Sequence, residues 1–164
     1  MAGGGRPGSR SAPFCDFLRV MLFLRSFCMF CDYLKWEDQI VKGFFCESTK
    51  QYPFAFMMGA GYKTIETRNK NMLSALVGER VAIVETRKGK LPLVVAEVDV
   101  IGVSFCPFEE FHKYDGQHRV QAGSKYDCSG KGKWFYHLAN PVFLNNPYTL
   151  PEWTVRHGRS WCEF

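Results

Sequence analysis

Hydrophobic and polar positions divide the chain near residue 46. Upstream, residues 14–35 (FCDFLRVMLFLRSFCMFCDYLK) are apolar, with Phe14, Phe17, Met21, Leu24 and Cys28 at helical spacing and Arg19 and Arg25 interrupting. The longest unbroken apolar runs, 20–24 and 27–31, are too short to span a bilayer, so no membrane span is expected. Downstream the pattern shortens and alternates. Residues 53–59 (PFAFMMG) predict a short buried helix after a turn, 63–68 a strand, and 72–77 a short helix or turn ending at Gly78. Residues 80–87 (RVAIVETR) predict a strand, and Lys88-Gly-Lys a hairpin turn. A long strand follows over 91–103, with Pro92 at its start and Gly102 as a bulge. A short helix over 108–114 ends in a turn at Asp115-Gly116, and 117–133 reads as loop. Residues 134–140 and 142–144 predict strands split by Pro141, and 159–164 a terminal strand. Five to six short strands with short helices between them predict an α+β fold, a small, partly open β-barrel with helical decoration.

Composition sharpens the division. Residues 1–13 (MAGGGRPGSRSAP) have the makeup of a disordered leader. Residues 14–45 form an N-terminal extension, helical or targeting-like, and 46–164 the domain. Four Arg against one acidic residue, Asp16, in the first 31 positions fit an organelle-targeting presequence. A helix packed on the domain, offering a protein partner a surface, fits as well, and so does an unproductive upstream extension of the reading frame. No small-residue cleavage site follows a clean apolar run, which argues against a secretory signal. With 164 residues one domain is expected, and 46% hydrophobic and 16% aromatic residues supply a core. Some of those aromatics are available to line a cavity or a stacking surface. From residue 47 onward 15 Lys/Arg stand against 12 Asp/Glu, an excess that permits an anionic partner without demanding one. Seven cysteines without disulfide spacing favour a reducing compartment, hence an intracellular protein, cytoplasmic or nuclear. Cys28 and Cys31 make a CxxC pair with no second pair to complete a zinc site, so ordinary buried thiols are expected.

The densest chemistry lies in GAGYKTIETR, residues 59–68. On a strand, alternate residues share a face roughly 6.5–7 Å apart. Glu66 and Arg68 therefore point one way with Tyr62 and Thr64, and Lys63, Ile65 and Thr67 the other. Lys63 joins Glu66 only if it sits on a bend before the strand proper, which Gly59 and Gly61 permit. A Glu–Arg pair facing a barrel mouth, with Lys63 at its lip, would be a ligand site. Glu66 would accept from a base or sugar donor, and Arg68 would hold a phosphate or carbonyl. The alternative is an exposed ion pair worth about 0–1 kcal/mol.

Two other stretches carry charge beside aromatics. KYDCSGKGKWFYHL, residues 125–138, interleaves Lys125, Lys131 and Lys133 with Tyr126 and Trp134. That suits single-stranded nucleic acid, through phosphate attraction and base stacking, and equally a solvated loop whose aromatics enter the core as a strand begins. Its Ser129-Gly-Lys-Gly lacks the spacing of a P-loop. In RHGRSWCEF, residues 156–164, Arg156, His157 and Arg159 are candidate phosphate contacts, and Trp161 stacks on a base or packs in the core. His112 and His118, near Cys106 and Cys128, have irregular spacing, and neither a metal nor any other cofactor is expected.

The succession of these segments resembles the ASCH domain family. A Pro- and aromatic-bearing helix runs into Gly-x-Lys-Thr-x-Glu-x-Arg (PFAFMMGAGYKTIETR), followed by VGERVAIVETR and LVVAEVDVIGV. Ser48-Thr-Lys-Gln51 is similar to that family's first-strand Ser-x-Lys-Gln, although one extra residue, Tyr52 or Pro53, shifts the usual Pro-aromatic placement. The resemblance covers about 46–164, and 1–45 have no counterpart. It implies a PUA-like β-barrel with a cleft holding the Lys-Glu-Arg motif, and RNA binding as the general activity. A deacetylating subgroup acting on N4-acetylcytidine uses a Lys, a Thr and a Glu, and another member is a ribonuclease. The subgroup's Lys matches Lys63, but its Thr falls on Glu66, and Thr64 is not its equivalent. Its Glu falls near Glu109, Glu110 and Asp115, with none singled out. The resemblance therefore implies binding of RNA or a modified nucleotide through Lys63, Thr64, Glu66 and Arg68, flanked by Arg156, Arg159 and Trp161. The alternative is a nucleoside- or RNA-directed hydrolase, N4-acetylcytidine amidohydrolase-like or a ribonuclease, with Lys63 as catalytic base or nucleophile.

Overall fold

The computed structural model describes residues 40–164. The leader and the helix expected over 1–13 and 14–35, and the Cys28/Cys31 pair, lie outside the described residues. Strand β1 (Lys42–Glu47, KGFFCE) runs across the boundary drawn at residue 46 and belongs to the unit that starts at Ile40. Helix α1 (Phe54–Gly59) follows, then β2 (Ile65–Arg68), β3 (Arg80–Thr86), β4 (Leu93–Pro107), α2 (Asp115–His118), β5 (Gly132–Thr149), β6 (Val155–His157) and β7 (Trp161–Glu163). Short 3₁₀ helices cover Ser74–Leu76 and Phe108–Tyr114.

All seven strands of the described residues form one mixed sheet in the order β2-β5-β4-β3-β1-β7-β6. β1 and β3 pair in parallel, and the remaining neighbours are antiparallel. Among the described residues there are seven strands where five to six were expected, and the sheet is open, with β2 and β6 at its edges. One added strand is β1. The other comes from the C-terminus, where β6 and β7 form a hairpin in place of a single strand over 159–164. Gly158 supplies the positive φ of 66° that its turn requires.

Pro141 does not split β5. The ladder with β4 jumps from Glu97↔Val142 to Asp99↔Ala139, so Asn140 and Pro141 bulge out together. Asn140 takes a φ of 48°, and Pro141, which has no N–H to give, sits where none is needed. The bulge expected at Gly102 is present, as a shift of register between Val100 and Gly102.

β1 and β3 are buried on both faces, which is why their apolar runs do not alternate. Phe44, Val81 and Ile83 join the larger core with Phe54, Met58, Ala96, Val98 and Phe135. Phe45, Ala82 and Val84 join a smaller one with Val94, Cys162 and Phe164. β4 alternates cleanly from Val94 to Val100, as its Val-rich sequence predicts.

The five strands from β2 to β1 curl until their outer members meet through a side chain. Arg68 Nη2 on β2 donates to the Phe45 carbonyl on β1 at 2.6 Å. No backbone ladder joins these two strands. The gap between them, spanned by side chains only, is where the candidate site lies.

Candidate functional site

The site is built by a turn, a helix start and two strand edges. The buried Ser48 hydroxyl accepts from the Ala55 N–H at 3.1 Å and so fixes the start of α1. α1 ends in a turn: Gly61, at φ 75°, lets the chain reverse, and Tyr62 and Lys63 donate their N–H groups to the Met57 carbonyl at 2.8 and 3.0 Å. Lys63 is thereby placed before β2 rather than in its pleat, which meets the condition set by the sequence. The residue is 2% exposed.

Lys63 Nζ donates to the carbonyls of Ile65 and His118, both at 2.7 Å, and lies 3.4 Å from Glu66 Oε2. Its ammonium also sits 5.0 Å from the centroid of the Phe54 ring. Burial pushes the pKa of Lys63 down, against the opposing pull of Glu66. Glu66 Oε1 takes the Arg68 guanidinium at 2.9 Å. Lys63, Glu66 and Arg68 therefore form one chain of charges, buried at Lys63 and Glu66 and partly exposed at Arg68, and the exposed surface pair is not what the strand carries.

A cavity of about 150 Å³ opens beside this chain. Cys46 and Glu47 of β1, Phe54 of α1, Lys63, Glu66 to Arg68 of β2, Val120, Tyr126 and Lys133 line it. Lys133 is 5% exposed, and Nζ donates to the Tyr126 carbonyl at 2.5 Å, its one hydrogen bond among the described residues. Burial pushes its pKa down too, with Cys128 and then Glu66 pulling it back. Arg68 Nε and Tyr126 Oη are buried and have no hydrogen-bond partner among the described residues. Burial, and after it the Glu66 carboxylate, pushes the Cys46 thiol far above its usual range, so it is an inert wall. Two larger hollows, of about 410 and 340 Å³, share Glu85 and Arg87 near the β3–β4 turn. There the Glu85 carboxylate is already held by Arg87, and neither hollow is lined by an orphaned buried donor.

The expected site residues divide. Lys63, Glu66 and Arg68 come together at the cavity. Thr64 is exposed and off its lining; its backbone bonds Gln117 and Leu138 instead. Thr67, on the same strand, does line it. Arg156 and Arg159 are exposed on the β6–β7 hairpin, and Arg156 lies over the Phe45 ring at 5.1 Å. Trp161 stacks on His157 at 3.8 Å between centroids and packs against the core. None of these three lines the cavity. Each oxygen of Glu66 faces one of the two cations, Oε2 towards Lys63 and Oε1 towards Arg68.

The sequence also left members out. Cys46 and Glu47 arrive on β1, hidden where the apolar extension runs into the domain. Lys133 was visible, but only as a surface cation. The signal for its burial is its place one residue after Gly132 and directly before Trp134-Phe135-Tyr136, which draw the strand's start inward.

No protein-family model matches the chain, and no curated protein matches it by sequence. Solved structures do. A crystal structure of a single-substitution variant of an ASCH protein from Zymomonas mobilis aligns with a TM-score of 0.57 at 16% identity, covering 73% of this chain and 85% of that one. A second variant gives 0.52 at 19% identity, covering 66% and 76%. The parent ASCH protein gives 0.53 at 18% identity, covering 66% and 73%. At such identities the likeness speaks for the fold, and the fold of this chain is ASCH-like.

Proposed function

We propose that the cavity between β1 and β2 is a nucleic-acid-binding site that takes one group of an RNA or of a modified nucleotide. The observation that carries this reading is the set of unspent donors on its walls: Arg68 Nε, Tyr126 Oη and the remaining N–H groups of Lys133. Buried donors without partners are costly, and a ligand that accepts from them recovers that cost. The cavity is smaller than the roughly 300–1,000 Å³ of a drug-sized pocket, so a single group enters and the rest of the ligand lies outside. Arg156 and Arg159, on the hairpin that follows β1 in the sheet, are proposed to meet backbone phosphates there. The ASCH-like fold agrees with RNA as the partner. Free thiols at Cys46, Cys106, Cys128 and Cys162 agree with a site of action inside the cell.

The hydrolase alternative asks Lys63 to carry a lone pair. Its three N–H groups face three acceptors, an arrangement made for an ammonium, and this favours binding over catalysis. The reading is tested by RNA affinity in Lys133→Met and Arg68→Lys variants whose melting is first shown to be intact. Affinity equal to wild type in both would sink the site assignment. Turnover of N4-acetylcytidine or of RNA by the wild-type chain would restore the hydrolase.

A further inference from the structure

We infer that the group entering this cavity is a terminal phosphate, held by Arg68 and Lys133; the inference rests on reading the cavity as a nucleic-acid site. Charge is the first reason. Lys63, Arg68 and Lys133 line the cavity against Glu66 inside it, and Glu47 at the rim is paired with Lys125 at 2.6 Å. The interior thus carries an uncompensated positive charge, in a place where two of the cations are almost wholly buried.

Donor and acceptor balance is the second. Glu66 has given one oxygen to Lys63 and the other to Arg68. The nearby carbonyls each already accept from a side chain: Phe45 from Arg68, Ile65 and His118 from Lys63, Tyr126 from Lys133, and Cys46 from Thr86. What remains free is the Arg68 Nε–H, two N–H groups of Lys133, and hydroxyls at Tyr126 and Thr67 that turn either way, with the second oxygen of Glu47, whose charge Lys125 already balances, as the one carboxylate acceptor left. The hydrogen-bonding edge of a base presents donors as well as acceptors, and its donors would find few partners here. A phosphate presents acceptors only and matches the set.

Size is the third. A phosphate inside a chain needs two exits for its two ester bonds. A cavity of about 150 Å³, with Phe54 of α1 and the Lys63–Glu66–Arg68 chain among its walls, suits a phosphate with one ester bond. That describes an RNA end or a nucleoside monophosphate, and it makes the protein a reader of ends.

The test uses one short oligoribonucleotide sequence in three forms: 5′-phosphorylated, 3′-phosphorylated, and hydroxyl at both ends. Fluorescence anisotropy at fixed salt gives each affinity for the full chain, for Lys133→Met, and for Arg68→Lys, which keeps the charge but loses Nε. Thermal melting establishes that each variant is folded, and the two variants serve as alternates if one is not. A phosphate at one end should tighten wild-type binding by about tenfold or more, as charge-assisted bonds in a desolvated site do. That advantage should shrink to nearly nothing in the folded variants. Equal binding of all three RNAs to wild type would overturn the inference and leave the RNA reading standing. No binding of any RNA, and no shift in melting with a nucleoside 5′- or 3′-monophosphate, would overturn both. An advantage that survives intact in the folded variants would also overturn it, since the phosphate would then sit elsewhere.

Discussion

Lys63 satisfies its ammonium with two backbone carbonyls and one carboxylate, all buried. Removing the cation leaves Glu66 with half its compensation and two carbonyls without a donor. Lys63→Met should therefore destabilise the fold by about 3–5 kcal/mol, the usual cost of breaking a buried pair from one side. Thr64→Ala, one residue on and exposed, should stay within about 0.5 kcal/mol; chemical denaturation of the two variants checks the contrast. His118, whose carbonyl holds Lys63, is itself buried. Its Nδ1 accepts from the Val120 N–H at 3.0 Å, so the neutral imidazole is the form that fits, with Nε2 donating to the Phe111 carbonyl at 3.1 Å. Burial pushes its pKa below the ordinary 6.5, outweighing the pull of that carbonyl and of Asp115. The unfolded chain then binds a proton near pH 6.5 that the folded chain resists. Stability is full above that pH and should fall as pH drops below it toward the lowered folded value. Denaturation midpoints at pH 7.5 and 5.5 read this directly, and a His118→Leu variant, weaker at both, should show a smaller difference between them.

At the scale of elements, the site depends on how the chain enters and leaves β2. The entry is the Gly61 turn, and the exit is held by Tyr136 of β5. The Tyr136 hydroxyl accepts from the Met72 and Leu73 N–H groups at 2.9 and 3.0 Å and donates to Asn71 Oδ1 at 2.8 Å. Tyr136→Phe keeps the ring and strands those amides, so it should cost about 1–3 kcal/mol. It should also raise amide exchange at Met72 and Leu73, where a mere loss of packing would not. Much of this was legible. The GxG turn, the β-prone IETR segment and the alternating LVVAEVDV strand announce themselves through glycine and period-two pattern. β1 was not legible, because Phe44-Phe45-Cys46 is buried on both faces and reads as more of the apolar extension before it. β5 was cut at Pro141 because a proline argues against a continuous strand, and only the ladder shows the bulge that accommodates it. In the site itself, Lys63, Glu66 and Arg68 could be picked out as a group. Lys133 and Tyr126 could not, since their place depends on β5 pairing with β2, a contact between segments far apart in sequence.

At the scale of the described unit, the sheet is open, and the gap between β1 and β2, crossed by the Arg68–Phe45 hydrogen bond, borders the cavity. No helix among the described residues is long and apolar enough to cross a membrane. The chain carries a formal net charge of +5, and its proposed partner is a polyanion. RNA affinity should therefore fall linearly with the logarithm of salt concentration, at about 0.7 log units per phosphate contact for a single strand. Arg156→Ala, Arg159→Ala and Lys133→Met should each make that slope shallower, with Lys133→Met losing the most affinity. The most direct measurement is amide chemical-shift mapping of the full chain during titration with a short single-stranded RNA. The largest shifts should cluster at Cys46, Glu66, Thr67, Arg68, Tyr126 and Lys133, around the gap between β1 and β2. Shifts confined to Arg87, Gly89 and Lys90 at the β3–β4 turn, with the cavity residues unmoved, would contradict the cavity as the binding site.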